Sequence, residues 1–344
     1  MATIEDVARS AGVSISTVSN LLNGRVERMG RDTRTRVEQA IAALGFQPSR
    51  AARLLKTGHT PMLGLLVPSI ANPLYGALAR AIETAAQTNH RYRVVLGNTY
   101  RDPAQEASFF DDLLSHGVRG VILVSSLAEE EHLRTAIDRG LVAVSYDRRQ
   151  SPGDTLRADH VSVDNVEAGR LAAAHLLGLG HRHLAFAMPS GMTTSRRAKI
   201  DGINAAVPRS GGTAEVVAGP AAHDYGDTDM AELGRDLAGE IARLRPRPTA
   251  VIAVNDLLAI GLIAGLRDHG LQVPADMSVV GFEDIFLSSL IRPTLTSVRF
   301  PIAEMAAVMV ERLVQRLADS SIPVSEFLYQ PALVARESSG PVAD

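Results

Sequence analysis

A run of small polar side chains near the N-terminus has the donors and acceptors needed to read DNA bases. Residues 14–23, S-I-S-T-V-S-N-L-L-N, predict a short helix, because Ser14 is a good N-cap and Val18, Leu21 and Leu22 recur at helical spacing. The opposite face carries Ile15, Ser16, Ser19 and Asn20. Hydroxyls, an amide and a methyl-bearing side chain suit the major groove, where each base pair presents its own pattern of donors, acceptors and methyl groups. We therefore predict that this helix reads duplex DNA.

The residues around this helix supply the core against which it must pack. A turn at Gly12 joins it to a preceding amphipathic helix, as in a helix-turn-helix motif. A third helix is predicted over 30–44, with Val37, Ile41 and Leu44 on its apolar face. The alternative is an ordinary three-helix bundle, which would show the same apolar faces. Such a bundle does not usually have a second helix that is so short and carries so little charge.

A short basic segment follows the three helices. Residues 48–60 contain a proline, an N-capping serine, three basic side chains and a terminal glycine, which together predict a brief helix. Helices below roughly 12 residues are marginal in water, so this one should form only against a second copy or DNA. Leu54 and Leu55 then have no core to enter, and Leu55 could act as a wedge between base steps in the minor groove. The alternative is a plain linker with its leucines on the next domain.

From Met62 onward, apolar strands alternate with amphipathic helices, the pattern of parallel sheets covered on both faces. This predicts an α/β core of two doubly wound lobes, followed by a helix at 302–317 and a strand at 326–334. The buried strands are predicted at 63–67, 92–96, 118–124, 142–146, 183–188, 250–254 and 278–282.

Polar side chains cluster just after these strands, where open parallel sheets bind ligands. The side chains concerned are Ser69, Asn72, Tyr75, Ser125, Ser126, Asp147, Arg148, those of 193–199, Asn255, Asp256, Glu283 and Asp284. Carboxylates and amides pair with vicinal hydroxyls, and an aromatic ring packs against a sugar face, so a hydroxyl-rich small molecule is the predicted ligand. Arg196, Arg197 and Lys199 could instead favour an anionic ligand such as a sugar phosphate or acid, although a charged loop is more often simply solvated.

The charge of the chain is unevenly distributed. Residues 1–60 hold nine Arg or Lys and five Asp or Glu, whereas the whole chain of 344 residues holds 35 and 38. The N-terminal part is therefore basic and the remainder acidic, as expected if only the former faces polyphosphate.

Other kinds of site are not supported by the sequence. The chain has no cysteine, His181 and His183 have no third metal ligand near them, and 261–265 is a glycine-containing helix rather than a nucleotide loop. No nucleophile, base and acid stand at a recognisable spacing. We therefore expect no metal, no cofactor and no catalysis. No apolar run approaches 18 residues and no signal peptide is visible, so we expect a cytoplasmic, nucleoid-associated protein without a membrane partner.

Nearly the whole chain resembles the lactose repressor/galactose repressor (LacI/GalR) family of bacterial transcription regulators. In the N-terminal 60 residues the resemblance is carried by T-I-E-D-V-A-R-S-A-G-V-S-I-S-T-V-S-N-L-L-N-G and T-R-T-R-V-E-Q-A-I-A-A-L-G-F-Q-P-S-R-A-A-R-L-L-K-T-G. Its later landmarks are L-G-L-L-V-P-S-I-A-N-P-L-Y at 63–75, V-S-V-D-N-V-E-A-G-R-L-A at 161–172, V-N-D at 254–256, G-F-E-D at 281–284 and P-T-L-T-S-V at 293–298. Any one of these is weak, but together and in this order they are specific.

The resemblance implies a homodimer, favours a repressor, and assigns roles by position. The implied base contacts are Ile15, Ser16, Asn20 and the wedge Leu55; the implied phosphate contacts are Ser14, Thr17, Asn23 and Thr33. The implied effector-binding residues are Asn72, Tyr75, Ser126, Asp147, Ser195, Arg197, Lys199, Asn255 and Glu283. Many members carry arginine at the position of Asn20. Arginine suits guanine, whereas an asparagine amide pairs naturally with adenine, so the operator sequence of a relative does not predict the operator of this chain. Lys199 and Glu283 stand where arginine and aspartate are usual.

The resemblance also implies a periplasmic-binding-protein-like core. The expected domains are a helix-turn-helix head at 1–47, a hinge helix and linker at 48–60, a first lobe at 61–160 plus 292–320, and a second lobe at 161–291 plus 321–340.

Two other classes of protein share parts of this pattern. A sugar-transport protein would have the lobes but not the head, and a doubly wound enzyme would need a cofactor loop or catalytic set that is not evident.

Overall fold

The computed structural model describes residues 2–22, 26, 29–46, 60–124, 131–149, 153, 155–208, 211–220 and 227–342. Contacts divide the chain into two compact units, Met1–Thr60 and Pro61–Asp344. Of the predicted hinge segment only Thr60 is described, and Asn23, Leu55 and Ser126 lie outside the described residues.

The first unit contains the three helices predicted for the head. They are α1 (Ile4–Ala11), α2 (Ile15–Leu22) and α3 (Arg31–Leu44). Thr3 and Asp6 form a capping box, in which the Asp6 N–H donates to Thr3 Oγ1 at 3.3 Å and the Thr3 N–H donates to Asp6 Oδ2 at 3.0 Å. Gly12 ends α1 with φ at 65°, a conformation that costs glycine little and that turns the chain into α2.

The core of the head is small and aliphatic. Val7, Val18 and Val37, one from each helix, are fully buried. The predicted apolar face of α3 is wrong at Leu44, which is 39% exposed; Ala40 is buried instead. The reason is that α3 presents only its 37, 40 and 41 positions to so short a pair of partner helices.

The second unit is built from two six-stranded sheets. Its strands are β1 (Met62–Val67), β2 (Arg93–Asn98), β3 (Gly120–Val124), β4 (Val142–Tyr146), β5 (Ala158–Val163), β6 (His183–Pro189), β7 (Thr213–Gly219), β8 (Ala250–Ala253), β9 (Ser278–Glu283), β10 (Thr296–Arg299), β11 (Glu326–Tyr329) and β12 (Ala332–Val334). Its helices are α4 (Pro73–His90), α5 (Pro103–Ser115), α6 (Glu131–Asp138), α7 (Asn165–Gly178), α8 (Thr194–Ala206), α9 (Asp227–Arg243), α10 (Asp256–Asp268), a 3-10 turn (Phe286–Ser289) and α11 (Ile302–Ala318).

Each sheet defines one lobe. The first lobe has strand order β11-β5-β4-β3-β1-β2, and the second has β12-β10-β9-β8-β6-β7. All neighbours are parallel except β12, which runs antiparallel to β10. In β1, Leu63 and Leu65 enter the apolar cluster on one face of the sheet while Leu66 enters that on the other, so the strand is buried on both sides.

The chain crosses between the lobes three times, and these crossings correct the predicted boundaries. After β5 the chain enters the second lobe, because α7 packs on β8, β9, β10 and β12. After β10 it returns, since α11 packs on α4 and on β3 to β5, and the last crossing separates β11 from β12. The segment 292–320 therefore begins in the second lobe with β10, and 321–340 begins in the first lobe with β11.

The seven predicted strands of the core are confirmed in type and approximate position. Three further strands, β5, β7 and β10, were not predicted, and the strand expected at 326–334 is two short strands in different sheets. Among the described helices, none combines the length and the apolar character that a membrane span requires.

Two helices of the second lobe touch at their backbones. A Cβ built on Gly169 of α7 would lie 2.1 Å from the carbonyl oxygen of Lys199, and one built on Gly202 of α8 would lie 1.9 Å from that of Val166. Only glycine permits this approach. The position of α8, and of every side chain it carries, is therefore set by a pair of glycines.

Candidate functional site

The outer face of α2 is exposed and carries the predicted base-reading side chains. Ile15 is 46% exposed, and Ser16 and Asn20 are exposed beside it, whereas Val18 on the opposite face is completely buried. Val18 anchors α2 in the core, so the opposite face presents one apolar side chain, Ile15, and two hydrogen-bonding side chains, Ser16 and Asn20, to solvent. The structure thus brings these three residues onto one accessible surface.

Three of the four predicted phosphate-contacting residues, Ser14, Thr17 and Thr33, lie at helix N-termini; Asn23 lies outside the described residues. Ser14 caps α2, with its Oγ accepting the Thr17 N–H at 3.1 Å and lying 2.9 Å from both Ser16 Oγ and Thr17 Oγ1. Thr33 is half-buried in the first turn of α3. Unpaired backbone N–H groups and the helix dipole make such positions favourable for phosphate.

In the second unit, non-glycine residues with positive φ concentrate at the carboxyl ends of the strands. Five of the six among the described residues are Tyr100 and Arg101 after β2, Asp147 after β4, and Glu283 and Asp284 at the end of β9, with φ between 51° and 104°; the sixth, Arg91, ends α4. Such conformations are costly for residues other than glycine and gather at ligand sites, where the surrounding structure holds them. They mark the cleft between the two lobes.

One wall of the cleft comes from the first lobe. Asn72 caps α4 through Oδ1, which accepts the Leu74 N–H at 2.8 Å, so its amide nitrogen is the group left to donate to a ligand. Tyr75 is buried and its hydroxyl accepts from Arg101 Nη2 at 3.2 Å. Asp147 is half-buried, and its Oδ1 accepts from Asn165 Nδ2 at 2.8 Å.

The other wall comes from the second lobe. Thr193 caps α8 by accepting the Arg196 N–H at 3.2 Å, and its hydroxyl lies 3.1 Å from that of Ser195. Asn255 caps α10, where its Oδ1 accepts the Leu258 N–H at 2.9 Å, again leaving the amide nitrogen as a donor. The N-termini of α4, α8 and α10 thus all open on the cleft.

Lys199 projects from α8 into this cleft and is buried. Its Nζ lies 3.5 Å from the carbonyl oxygen of Val254, 4.8 Å from the ring centre of Phe282 and 5.7 Å from that of Phe300. Burial lowers the pKa of this ammonium, and the nearby carboxylates of Asp147 and Glu283 act in the opposite direction.

Two cavities adjoin at Leu74, Glu283 and Phe300. The one between the walls just described has a volume of about 50 Å³. The other, about 690 Å³, opens at the surface and is lined mainly by apolar residues such as Phe286 and Ile302. We place the candidate site in the smaller cavity, because the buried charges and strained residues converge there. Ligand pockets typically have volumes of roughly 300 Å³ or more, so the small cavity alone is too small for such a ligand in this arrangement of the lobes.

The structure brings together most of the effector-binding residues predicted from the sequence. Lining the small cavity are Asn72, Tyr75, Asp147, Ser195, Lys199, Asn255 and Glu283. Arg197 is the exception: it is exposed, and Arg196 lines the cavity in its place. At about 100° per residue, Ser195, Arg196 and Lys199 fall within one arc of about 100° around α8, and Arg197 lies about 100° beyond Arg196, outside the arc that faces the cleft.

Sequence reasoning missed several lining residues. Arg101 follows β2, and applying the rule about strand ends to that strand would have found it. Tyr146 is the last residue of β4, whose apolar pattern indicates only that the strand is buried. Met230 and Phe300 lie on a helix and an interlobe crossing, where no sequence signal indicates them.

Asp256 supports the cleft from behind. It is fully buried, and its carboxyl group accepts from Ser297 Oγ at 2.6 Å, Ser288 Oγ at 2.7 Å and the Ile285 N–H at 2.9 Å. These contacts hold the chain that follows Glu283. Burial raises the pKa of Asp256 to about 7, against the lowering effect of the three hydrogen bonds.

This raised pKa predicts a pH-dependent stability. The folded protein holds the Asp256 proton up to about pH 7 but the unfolded chain releases it near 3.8, so the contribution of this group is complete below pH 3.8 and is lost as the pH rises to 7. Relative to Asp256→Asn, the wild-type free energy of unfolding should therefore rise by about 1.4 kcal/mol per unit as the pH falls from 7 to 5. Urea unfolding of both proteins at several pH values measures this difference, and parallel pH curves would contradict it.

The two histidines considered as metal ligands have separate roles. His181 is buried, with Nδ1 2.9 Å from Thr249 Oγ1 and Nε2 3.0 Å from the carbonyl oxygen of Gly340, so it fastens the C-terminal segment. His183 is exposed, with Nδ1 2.7 Å from Thr213 Oγ1. In the part of the chain that the structure describes, no group of three His, Asp or Glu side chains could hold a metal ion.

Comparison with known proteins agrees with the two units. Residues 3–49 match the family model described as bacterial regulatory proteins, lacI family, and residues 173–339 match that of a periplasmic binding protein-like domain. The HTH-type transcriptional regulator GalS of Salmonella typhimurium is 33% identical over 98% of this chain and 96% of its own length.

Two solved structures resemble the chain closely. The lac repressor dimer bound to operator and the anti-inducer ONPF has a TM-score of 0.82 and 25% identity, covering 98% of this chain and 99% of its own. A LacI family regulator from Enterococcus faecium with bound ribose has a TM-score of 0.72 and 26% identity, covering 82% of this chain and 100% of its own.

Proposed function

The chain belongs to the lacI family of bacterial regulatory proteins, and is therefore a DNA-binding transcription regulator rather than an enzyme. From this premise we propose that it is a cytoplasmic, nucleoid-associated repressor, which binds a palindromic operator as a homodimer and is controlled by a sugar or sugar derivative in the interlobe cleft. The lac repressor dimer on its operator and the ribose-bound Enterococcus faecium regulator support the dimer and the ligand class.

The observation that carries the DNA-binding part of the proposal is the outer face of α2. Ile15, Ser16 and Asn20 are exposed together while Val18 anchors the helix, which leaves the short polar surface that base reading needs. Ser14, Thr17 and Thr33 stand at the helix ends suited to phosphate. Asn23 as a phosphate contact and Leu55 as a minor-groove wedge remain part of the proposal, although both lie outside the described residues.

In the core, the proposed effector contacts are the lining residues of the small cavity, with Arg196 in place of Arg197 and with Ser126 retained from the sequence. Binding there changes the relation of the two lobes, because the ligand contacts both walls. Ligand binding shifts the population between a state that binds the operator and a state that does not. Coupling of this kind is typically about 1–3 kcal/mol and acts equally in both directions, so operator changes effector affinity as effector changes operator affinity.

The proposal is tested by the genomic fragments that the purified protein retains at moderate salt. We expect enrichment of a palindromic sequence, and Asn20→Ala or Ser16→Ala should each weaken binding to it about 5- to 150-fold while leaving binding to random duplex unchanged. Gln39→Ala is a suitable control, since Gln39 is exposed on α3. Retention of random fragments alone would reject the proposal.

A further inference from the structure

The side chains that line the small cavity carry more positive than negative charge. Arg101, Arg196 and Lys199 are basic, and Asp147 and Glu283 are the only acidic lining residues among those described. The N-termini of α4, α8 and α10, which open on the same space, add partial positive charge. A neutral ligand would leave this excess of positive charge uncompensated in the small cavity, which is poorly hydrated.

The ammonium group of Lys199 makes fewer hydrogen bonds than its donors allow. The group has three N–H donors, and among the described residues its one acceptor is the Val254 carbonyl oxygen at 3.5 Å, the limit of a hydrogen bond. No described carboxylate lies within 4.0 Å of it. Burying an ammonium group with a single long hydrogen bond is costly, even beside two aromatic rings and with two carboxylates nearby, so this site is suited to a ligand that supplies the missing acceptors.

The neighbours of Lys199 define where its missing partner would lie. The rings of Phe282 and Phe300 hold Nζ on one side, and Arg196 lines the same wall from the preceding turn of α8. Burial lowers the pKa of Lys199, and the acidic side chains that partly offset this effect, Asp147 and Glu283, come from the ends of β4 and β9. The cavity therefore has two basic side chains on α8, a third, Arg101, on the opposite wall, and acidic side chains at the ends of β4 and β9.

We propose that the effector is a hydroxylated anion, a sugar acid or sugar phosphate, whose charged group binds Lys199 and Arg196 while its hydroxyl groups bind Asp147 and Glu283. This inference rests on the proposed function, since it names the ligand class of the same cleft. The two acidic residues do not oppose it, because they accept hydrogen bonds from the hydroxyl groups of the ligand. Such a ligand supplies acceptors for the Lys199 donors and neutralises the excess charge.

Binding to matched ligand sets tests the proposal on the full-length protein. Calorimetric titrations would compare D-glucose with D-gluconate, D-glucuronate and D-glucose 6-phosphate, and the corresponding galactose and ribose series. We expect the tightest ligand to be an anion that binds at least about 30-fold more tightly than its neutral parent sugar, as for a charge-assisted hydrogen bond to a buried group. Comparison of the acids with the phosphates identifies which anionic group the site takes.

Substitution at α8 provides the second readout. In Lys199→Met, which keeps most of the side-chain volume, the preference for the anion over its parent should fall to about threefold or less, and Lys199→Arg should restore it. Arg197→Met removes a neighbouring positive charge that is exposed to solvent, and should leave the preference unchanged. Should Lys199→Met fail to fold, the wild-type titrations alone decide.

The proposal is overturned if the best ligand of the panel is a neutral sugar, if neutral and charged partners bind equally, or if none of the anions binds. It is also overturned if Arg197→Met abolishes the preference as fully as Lys199→Met. These outcomes are independent of the genomic-fragment experiment, which tests DNA recognition without any ligand. A protein that selects a palindrome but prefers neutral sugars would retain the proposed function and lose only this inference.

Discussion

Replacing Asp159 by alanine is expected to lower the free energy of unfolding by about 3–5 kcal/mol. Asp159 is completely buried in β5, where Oδ1 accepts from Arg312 Nη2 at 2.8 Å and from the Ser325 N–H at 2.8 Å, and Oδ2 accepts from Arg316 Nη1 at 3.2 Å. The substitution leaves two largely buried guanidinium groups without their shared carboxylate. Chemical denaturation monitored by far-UV circular dichroism measures the loss.

A matched substitution separates this effect from the loss of any aspartate–arginine pair. Asp138 accepts from Arg157 Nη2 at 2.9 Å, but the two side chains are 64% and 68% exposed. Because an exposed pair contributes about 0–1 kcal/mol, Asp138→Ala should be nearly neutral. Similar losses for the two variants would show that the buried cluster has no special role in joining β5 to α11.

Substituting Gly169 by alanine should destabilise the second lobe by roughly 3 kcal/mol, at the upper end for overpacking. The added Cβ would meet the carbonyl oxygen of Lys199 at 2.1 Å, and a backbone atom cannot move aside as a flexible side chain can. Since α8 must shift as a unit, we also expect weaker effector binding through displacement of Arg196 and Lys199. Thermal unfolding and a ligand titration measure the two effects.

The same helix contains its own control. Gly178 is the last residue of α7 and is exposed, and a Cβ added to it would have no other atom within 4 Å. Gly178→Ala should therefore be neutral or stabilise by up to about 1 kcal/mol, the helix propensity difference. If Gly169→Ala is as well tolerated as Gly178→Ala, the backbone contact between α7 and α8 does not determine where α8 lies.

The parts of the fold that were predicted are those whose burial is uniform. Strands such as β3 and β8 are continuous apolar runs, and they were found within a few residues. β5 was missed because Asp159, His160 and Ser162 interrupt it, although all three are buried. Buried polar residues of this kind give no sign of their burial in the sequence.

The other missed strands have different causes. β7 is the outer strand of its sheet and is largely exposed, so it lacks an apolar pattern. The strand expected over 326–334 satisfied the length and composition of one element, but Gln330 and Pro331 separate β11 from β12 and send them to different sheets. Local pattern cannot reveal which sheet a short strand joins.

The candidate cleft was largely predictable, because a topological rule selects residues at strand ends without knowledge of their contacts. That rule, together with the resemblance to the LacI/GalR family, gave Asn72, Asp147 and Glu283, which all line the cavity. It could not decide between Arg196 and Arg197, since this depends on the rotation of α8 about its axis. That rotation is set by the contact of Gly169 and Gly202 with the neighbouring backbone.

The three crossings between the lobes have a consequence for how the protein is made. β11 lies against β5 at the edge of the first sheet, and β12 against β10 at the edge of the second, yet both are formed by residues 326–334. While the ribosome is still translating the preceding residues, both sheets have an open edge, and such edges are prone to pair with other chains. Neither lobe is complete until these final strands emerge, so the two lobes finish maturing together rather than one after the other.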